Sequence, residues 1–368
     1  MREGNKVNKK IIVGLSGGVD SSVSLLLLKK AGYQPIGVSF KYAVWKDKKN
    51  LLKENVCCSE ESFAIAREIC RRLDVPYQII NEEISFRDKV IGYFLDVFRN
   101  KQTPNPCLIC NRLVKFEKLI EVADKEKAGH IATGHYARIK RGRDGKFQLL
   151  KGKDTQKDQS YFLALLEQKH LKRIIFPLGD YTKKKVYQIA AKAGFEFFKK
   201  TRQSQDLCFI AGKSIPFYLE EELGFEPGEI INSEGKVLGK HQGLYFYTVG
   251  QRRGIDLPRG PWWVASLDKA KNRLIVTDKK NDPILFKKEI LLSDYNFISG
   301  NLPMAPLSVI AKTRYNQKLS RAKLYLFKKQ GSKLPLKLVF SRAQKAVTPG
   351  QWAVFYQKDV CLGGGKIK

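Results

Sequence analysis

The stretch IIVGLSGGVDSSVSLLLLKKAG, from Ile11 to Gly32, restricts this chain more than any other. A short apolar run ends in Ser16-Gly17-Gly18-Val19-Asp20-Ser21-Ser22, and an apolar-rich helical segment follows. Glycines let a backbone turn so tightly that successive N–H groups point into one concavity. The positive end of the helix dipole adds to the attraction for an anion. Ser16, Ser21 and Ser22 bring hydroxyl donors to the same place. The unit therefore reads as a phosphate cradle between a strand and a helix. It is not the P-loop of kinases, because no Gly-Lys-Ser/Thr follows. A glycine-rich turn without a ligand is the plain alternative.

The pattern that follows alternates strand and helix over about the first 200 residues. Strands are expected at Ile11–Leu15, Pro35–Phe40, Tyr77–Ile80 and His130–Thr133. Helices are expected at Ser21–Ala31, Ser59–Leu73, Ser85–Phe98, Asn111–Lys127, Gln159–Leu166 and Lys183–Ala193. Gly32 stands where a left-handed residue closes a helix. Such alternation predicts a parallel sheet covered by helices on both faces. Asp144-Gly145 marks a hairpin joining Ala137–Lys140 to Lys146–Leu150. Beyond about Cys208, glycine and proline break the chain into shorter pieces. Strands at Arg273–Thr277, Leu307–Thr313, Ala322–Phe327, Leu336–Phe340 and Trp352–Tyr356 suggest a small C-terminal β-barrel. The division expected is 1–208 as an α/β domain, 209–273 as a small central domain and 274–368 as the barrel.

A chain of 368 residues suits two or three domains. It carries 68 Lys and Arg against 36 Asp and Glu, a formal net charge of +32. That surface attracts polyanions, nucleic acid foremost; the bland reading is a lysine-rich composition. No run of 18 apolar residues argues for a membrane span, and the first ten residues are polar and basic. A soluble, cytoplasmic protein is expected.

Seven cysteines, Cys57, Cys58, Cys70, Cys107, Cys110, Cys208 and Cys361, do not suggest a disulfide framework in a chain without a secretion signal. Thr103-Pro104-Asn105-Pro106-Cys107-Leu108-Ile109-Cys110-Asn111 puts two thiols where a helix is expected to begin, at Asn111. Thiolates near a helix N-terminus are more acidic and are available as nucleophiles at neutral pH. Competing readings are half of a zinc site, lacking its second pair, a redox dithiol and buried structural thiols. Cys70 and Cys361 fit burial best. Ser204-Gln205-Asp206-Leu207-Cys208-Phe209-Ile210 holds a third thiol between apolar neighbours.

The loop Ser16–Ser22 resembles the PP-loop of ATP pyrophosphatases, which split ATP between its α and β phosphates. The chain as a whole resembles the bacterial tRNA-specific 2-thiouridylases. The likeness runs in order through Gly14–Ser22, Thr103–Asn111, Ala132-Thr-Gly-His-Tyr136, Lys157–Phe162, Asp206–Ile210, Gly239–Gly243, Tyr247–Arg252, Lys312–Tyr315, Val347–Gln351 and Cys361–Gly365. It implies a PP-loop α/β domain of adenine-nucleotide α-hydrolase type. It also implies ATP binding by Gly14, Leu15, Ser16, Gly17, Gly18, Val19, Asp20, Ser21, Phe40 and Gly134, with Asp20 helping to hold Mg2+. By the same resemblance Cys110 is the nucleophile and Cys208 carries a persulfide. Asn105, Pro106 and Cys107 line the target-base pocket. His135, Lys157, Asp158, Gln159, Arg314, Tyr315 and Gln351 contact tRNA.

Two departures stand out: Phe40 replaces a common Met, and Cys107 replaces a common Asp that has been cast as an acid/base. A thiol at 107 opens a second sulfur route. In one, ATP adenylates the C2 oxygen of the wobble uridine and a persulfide delivers sulfur. In the other, Cys107, Cys110 and Cys208 hold three irons of a [4Fe–4S] cluster whose fourth iron carries sulfide. The implied partners are tRNAs accepting Glu, Gln and Lys, and a sulfur-donor protein, either a cysteine desulfurase or a relay. Rival functions are a small-molecule ATP pyrophosphatase, a tRNA lysidine synthetase and a non-catalytic RNA-binding protein. None of these uses both the loop and the cysteines.

Overall fold

The computed structural model describes residues 9–52, 54–55, 58–195, 207–326 and 336–368. Cys57, Ser204–Asp206 and the end of the strand expected at Phe327 lie outside them.

Five parallel strands build the N-terminal sheet: β1 (Lys10–Gly14), β2 (Gln34–Lys41), β3 (Tyr77–Asn81), β4 (His130–Ala132) and β7 (Ile174–Ile175), in the order β3-β2-β1-β4-β7. β1 is buried on both sides, which is why it reads as a continuous apolar run. Ile11 and Val13 pack with the helices Val19–Lys30, Glu60–Arg72 and Lys183–Lys192. Ile12 packs on the other side with Phe94, Phe116 and Leu119. Helices therefore cover both faces, as the alternation predicts. Ser59 caps its helix by accepting from the Ser62 N–H at 3.1 Å, and Gly32 has the expected positive φ of +80°.

The chain runs from β1 outward through β2 to β3, then returns to place β4 and β7 on the opposite side. The order reverses between β1 and β4, and ligand crevices of open α/β sheets form beyond the carboxyl ends of strands at such a point. The loop Ser16–Gly18 leaves β1 there, and Thr133–Tyr136 leaves β4.

Four strands, β8 (Gly228–Asn232), β9 (Val237–His241), β10 (Trp263–Asp268) and β11 (Arg273–Thr277), form the central sheet in the order β10-β11-β8-β9. Arg273–Thr277, expected to open the barrel, pairs in this sheet with β8 and β10 instead. Its parallel partner lies far upstream, so no local pattern signals the pairing. The C-terminal unit is a six-stranded antiparallel barrel of β12 (Phe286–Phe297), β13 (Leu307–Lys312), β14 (Ser320–Leu326), β15 (Leu336–Lys345), β16 (Trp352–Gln357) and β17 (Val360–Ile367), closed by pairing of β12 with β17. The predicted hairpin, β5 (Ala137–Arg141) and β6 (Phe147–Lys151), forms as expected but adds to the barrel through β6 and β17. This joins the α/β domain to the barrel by backbone hydrogen bonds.

Two helical expectations need correction. Gln159–Leu166 contains a single 3-10 turn, Ser160–Leu163. Tyr161 and Leu163 to Leu166 are almost wholly buried, so the run has no solvent face for an amphipathic helix. The helix expected from Asn111 begins at Pro106, a residue pre-set for the first helical position. It passes through a π turn, Asn111–Lys115, into Phe116–Lys125. Cys107 consequently sits in its first turn and Cys110 just beyond it, rather than before the helix. Among the described residues, no helix is long and apolar enough to cross a membrane.

Candidate active site

The phosphate loop closes through its own serines. The Ser21 and Ser22 hydroxyls each donate to the Gly18 carbonyl at 3.0 Å, and the Ser16 N–H donates to Ser21 Oγ at 3.2 Å. Gly18 is the N-cap of Val19–Lys30 and has no side chain to cap the first-turn N–H groups, which leaves them to an anion. Gly17 has φ +68°, and a Cβ there would lie 2.4 Å from the Ser62 carbonyl oxygen. Leu15 is fixed on both sides: its N–H donates to Val38 O and its carbonyl accepts from Ser39 Oγ, each at 2.8 Å. A Cβ on Gly134 would stand 2.7 Å from Ser21 N, so only glycine lets the β4 loop approach the helix start this closely. Phe40, at the carboxyl end of β2, is buried with its ring 5.9 Å from that of Tyr42. The structure thus brings the candidate nucleotide residues around one strand end.

Asp20 has partners that local sequence patterns do not reveal. Lys183 Nζ donates to both carboxylate oxygens at 2.7 Å, and the Tyr136 hydroxyl donates to Oδ1 at 2.7 Å. Burial and the neighbouring Asp20 charge push the Tyr136 pKa far up, so it remains a donor. Lys183 opens the helix Lys183–Lys192, and its own N–H donates to Asp154 Oδ2 at 2.8 Å. Sequence reading placed that helix but missed Lys183; its separation from Asp20 hides the pair. The only local signal was a lysine at a helix start, where cations are unfavourable.

Cys107 is exposed and Cys110 half-buried at the turn opened by Pro106. Cys208 is also half-buried; both it and Cys110 pack against the same large apolar core. The Cys208 turn is held by its neighbours. Leu207 and Ile210 bridge, and Phe209 inserts edge-on against Phe86 and Phe94 at 5.9 and 5.2 Å. Asn50 grips the same turn, donating to Phe209 O at 3.3 Å and accepting from Ala211 N at 3.2 Å. Asn50 is another residue that sequence reading missed. Cys70 and Cys361 are buried, and burial pushes both thiols up to about 12, which fits the structural role expected of them. Cys58 is buried and accepts from Tyr42 N at 3.1 Å. Among the described residues, no three His, Cys, Asp or Glu side chains come together as a group able to hold a metal ion.

Family models match nearly the whole chain: a tRNA methyl transferase HUP domain over 9–212, a tRNA methyl transferase PRC-barrel domain over 217–278 and an aminomethyltransferase β-barrel domain over 287–367. A protein of Geobacillus kaustophilus named tRNA-specific 2-thiouridylase MnmA 1 is 39% identical over 363 residues, covering 98% of this chain and 95% of that one. The tRNA-specific 2-thiouridylase MnmA of Clostridium perfringens is 38% identical over 364 residues, 98% of each chain. That of Staphylococcus aureus is 39% identical over 362 residues, covering 97% and 95%. The chain belongs to the MnmA family.

In this MnmA-family chain, the positions compared above with tRNA contacts differ in their surroundings. Asp158 accepts from the N–H groups of Gly152 and Ser160, each at 3.1 Å, and from Ser160 Oγ at 2.9 Å. Gln159 Oε1 accepts from Tyr136 N at 2.9 Å, which steadies the tyrosine that holds Asp20. His135 shares a hydrogen bond with Thr133 Oγ1 at 2.7 Å and packs by Phe116 and Phe176; burial, with Lys115 nearby, pushes its pKa well below the usual imidazole value. Arg314 donates to Val249 O at 2.8 Å and to Thr348 Oγ1, so it ties the central unit to the barrel. The Tyr315 ring lies tilted against Phe162 with centres 4.4 Å apart, and Lys312 Nζ is 5.1 Å from its ring centre. Gln351 reaches the cysteine loop, donating to Pro104 O at 2.8 Å and Thr103 O at 3.3 Å. Lys157 is partly exposed at the start of this loop system.

Proposed function

We propose that this protein is an ATP-dependent tRNA-uridine 2-sulfurtransferase acting at the wobble position. The observation that carries the reading is a phosphate loop at the sheet's switch point in the same unit as two thiols packed on one core. The MnmA relatives' names supply the tRNA and the 2-thio product. The family models' descriptions speak of methyl transfer, but a phosphate loop paired with thiols suits activation by ATP followed by sulfur transfer.

The chemistry follows from what each part offers. ATP lies with its phosphates on Ser16–Ser21 and its adenosine by Phe40 and Gly134. Asp20 would offer magnesium a carboxylate whose oxygens also accept from Lys183 and Tyr136, while phosphate oxygens and water would fill the ion's other positions. Bound there, the ion would neutralise charge on the departing pyrophosphate. The uridine C2 oxygen attacks the α-phosphorus, pyrophosphate leaves, and C2 gains AMP as a leaving group. The terminal sulfur of a Cys208 persulfide attacks C2 and AMP departs with the C–O bond electrons. The Cys110 thiolate then attacks Cys208 Sγ, forming a disulfide and releasing the 2-thiouridine. Alternatively Cys110 attacks first and frees hydrosulfide, which attacks C2. Both orders leave a Cys110–Cys208 disulfide, which an external dithiol reduces with two electrons. A sulfur-donor protein, a desulfurase or a relay, then reloads Cys208. Asn105, Pro106 and Cys107 would face the target base, which must leave its stack. The tRNAs expected are those accepting Glu, Gln and Lys.

The test is pyrophosphate release from ATP with and without tRNA, together with mass spectrometry of the nucleosides. Release that requires tRNA and ends in 2-thiouridine supports the reading. Release without tRNA points to a small-molecule enzyme, and none at all to a binding protein. Cys107→Asp should retain most activity in iron-free protein supplied with a persulfide donor, because Cys107 has no covalent step in this route. Activity that follows iron content would overturn that route.

Binding should depend on phosphate contacts, with a log–log salt slope of several units measured by titration at different ionic strengths. Arg314→Glu should lower tRNA affinity and melting temperature together, because it also unties Val249 and Thr348. Lys157→Ala should lower affinity through the loss of one cation. Unchanged stability in the Arg314 variant would contradict its tie across the two units.

A further inference from the structure

We infer that Gln351 is a positioning residue for the thiol-bearing turn, through which the barrel sets the placement of Cys107 and Cys110. This rests on the sulfur-transfer reading but assigns Gln351 a part beyond contact with RNA. Pro104 and Pro106 have no N–H, so the loop before the cysteines has few backbone donors of its own. Much of its fixing comes from outside the domain, beside the Tyr93 and Tyr161 hydroxyls that meet Asn105 from within it. Gln351 Nε2 donates to the carbonyls of Pro104 and Thr103 at 2.8 and 3.3 Å. Pro349 O accepts from Thr103 N at 2.9 Å. Thr248 of the central unit shares a 3.0 Å hydroxyl bond with Thr103.

Gln351 is itself held. Its carbonyl accepts from Ile367 N at 2.8 Å, and its N–H donates to Thr348 O at 3.2 Å. Gly350 has φ +89°, and a Cβ there would stand 2.7 Å from Thr103 O, so the barrel loop lies directly on the cysteine loop. The next residue continues the clamp: Trp352 O accepts from Tyr161 OH at 2.9 Å, and that hydroxyl also meets the Asn105 side chain. Asn105 is the N-cap of the five-residue helix that carries both thiols. A force on the barrel reaches Pro104 and Asn105 directly, three and two residues before Cys107. RNA seated on the barrel would act on the same lever.

Gln351→Met keeps length and packing but removes both donated bonds. Single-turnover thiolation at saturating tRNA should fall about tenfold or more, since small misplacement of a reacting group has effects of this size. The tRNA dissociation constant should change less than about threefold, because the loss of one RNA contact at most would be involved. Without tRNA, alkylation of Cys107 and Cys110 should change in rate and pH profile relative to Cys208, which lies off the clamp. Thr248→Val should act in the same direction more weakly and guards against a Gln351 variant that does not fold. Weakened tRNA binding with an unchanged single-turnover rate and unchanged alkylation would overturn the proposal. If the wild type makes no 2-thiouridine, the reaction reading fails, yet the alkylation comparison still decides whether Gln351 positions the thiols.

Discussion

Cys110→Ser and Cys208→Ser are each expected to reduce 2-thiouridine formation by about a thousandfold or more, since a hydroxyl replaces a thiolate that makes or carries a covalent bond. Both variants should still release pyrophosphate from ATP when tRNA is added. In the proposed route adenylation uses the phosphate loop around Asp20, and neither thiol takes part in that step. The variants should also bind tRNA nearly as well as the wild type, because neither side chain is a cation that could pair with phosphate. Serine is close to cysteine in volume, so packing against the core should persist and melting temperatures should change little. Near-normal thiolation in either variant, measured by nucleoside mass spectrometry, would remove that cysteine from the reaction.

The sequence-visible part of this site is the part built from neighbours. Ser16–Ser22 announces itself because strand, turn, dipole and hydroxyls lie within one short segment. Cys107 and Cys110 were legible for the same reason, although the helix start was placed at Asn111 because Pro-Asn-Pro reads as a turn. Pro106 instead occupies the first helical position, which moves both thiols into the helix. What could not be read are meetings across the chain. Lys183 and Asn50 belong to the candidate site through partners 163 and 161 residues away, Asp20 and Ala211. The barrel shows the same division. Strands with alternating apolar residues were visible, but β17 contains Gly363, Gly364 and Gly365, which are poor strand formers away from the contacts that hold them. Arg314 and Gln351 were singled out through family resemblance as RNA contacts. Their hydrogen bonds within the protein could be found only once the three units were placed side by side.

The Asp20–Lys183 pair carries the other large effect. Lys183→Met should lower tRNA-dependent pyrophosphate release by about a hundredfold or more, the scale seen when a preorganised charged donor is removed from a site of developing negative charge. Two consequences act together. Asp20 loses the ammonium that bonds both of its oxygens and keeps only the Tyr136 hydroxyl, so its carboxylate is less well oriented. The phosphate loop also loses a mostly buried ammonium held at Asp20. Lys183→Arg should recover little, because a planar guanidinium cannot reproduce the compact ammonium wedged between Asp20 and the rings of Tyr136 and Tyr187. Tyr136→Phe removes one neutral donor and should cost far less. Transfer of sulfur to RNA adenylated beforehand should be unaffected in Lys183→Met, since that step needs no further ATP. A variant that releases pyrophosphate normally but fails in sulfur transfer would place Lys183 in the second half of the reaction and break the link drawn here between the pair and the nucleotide.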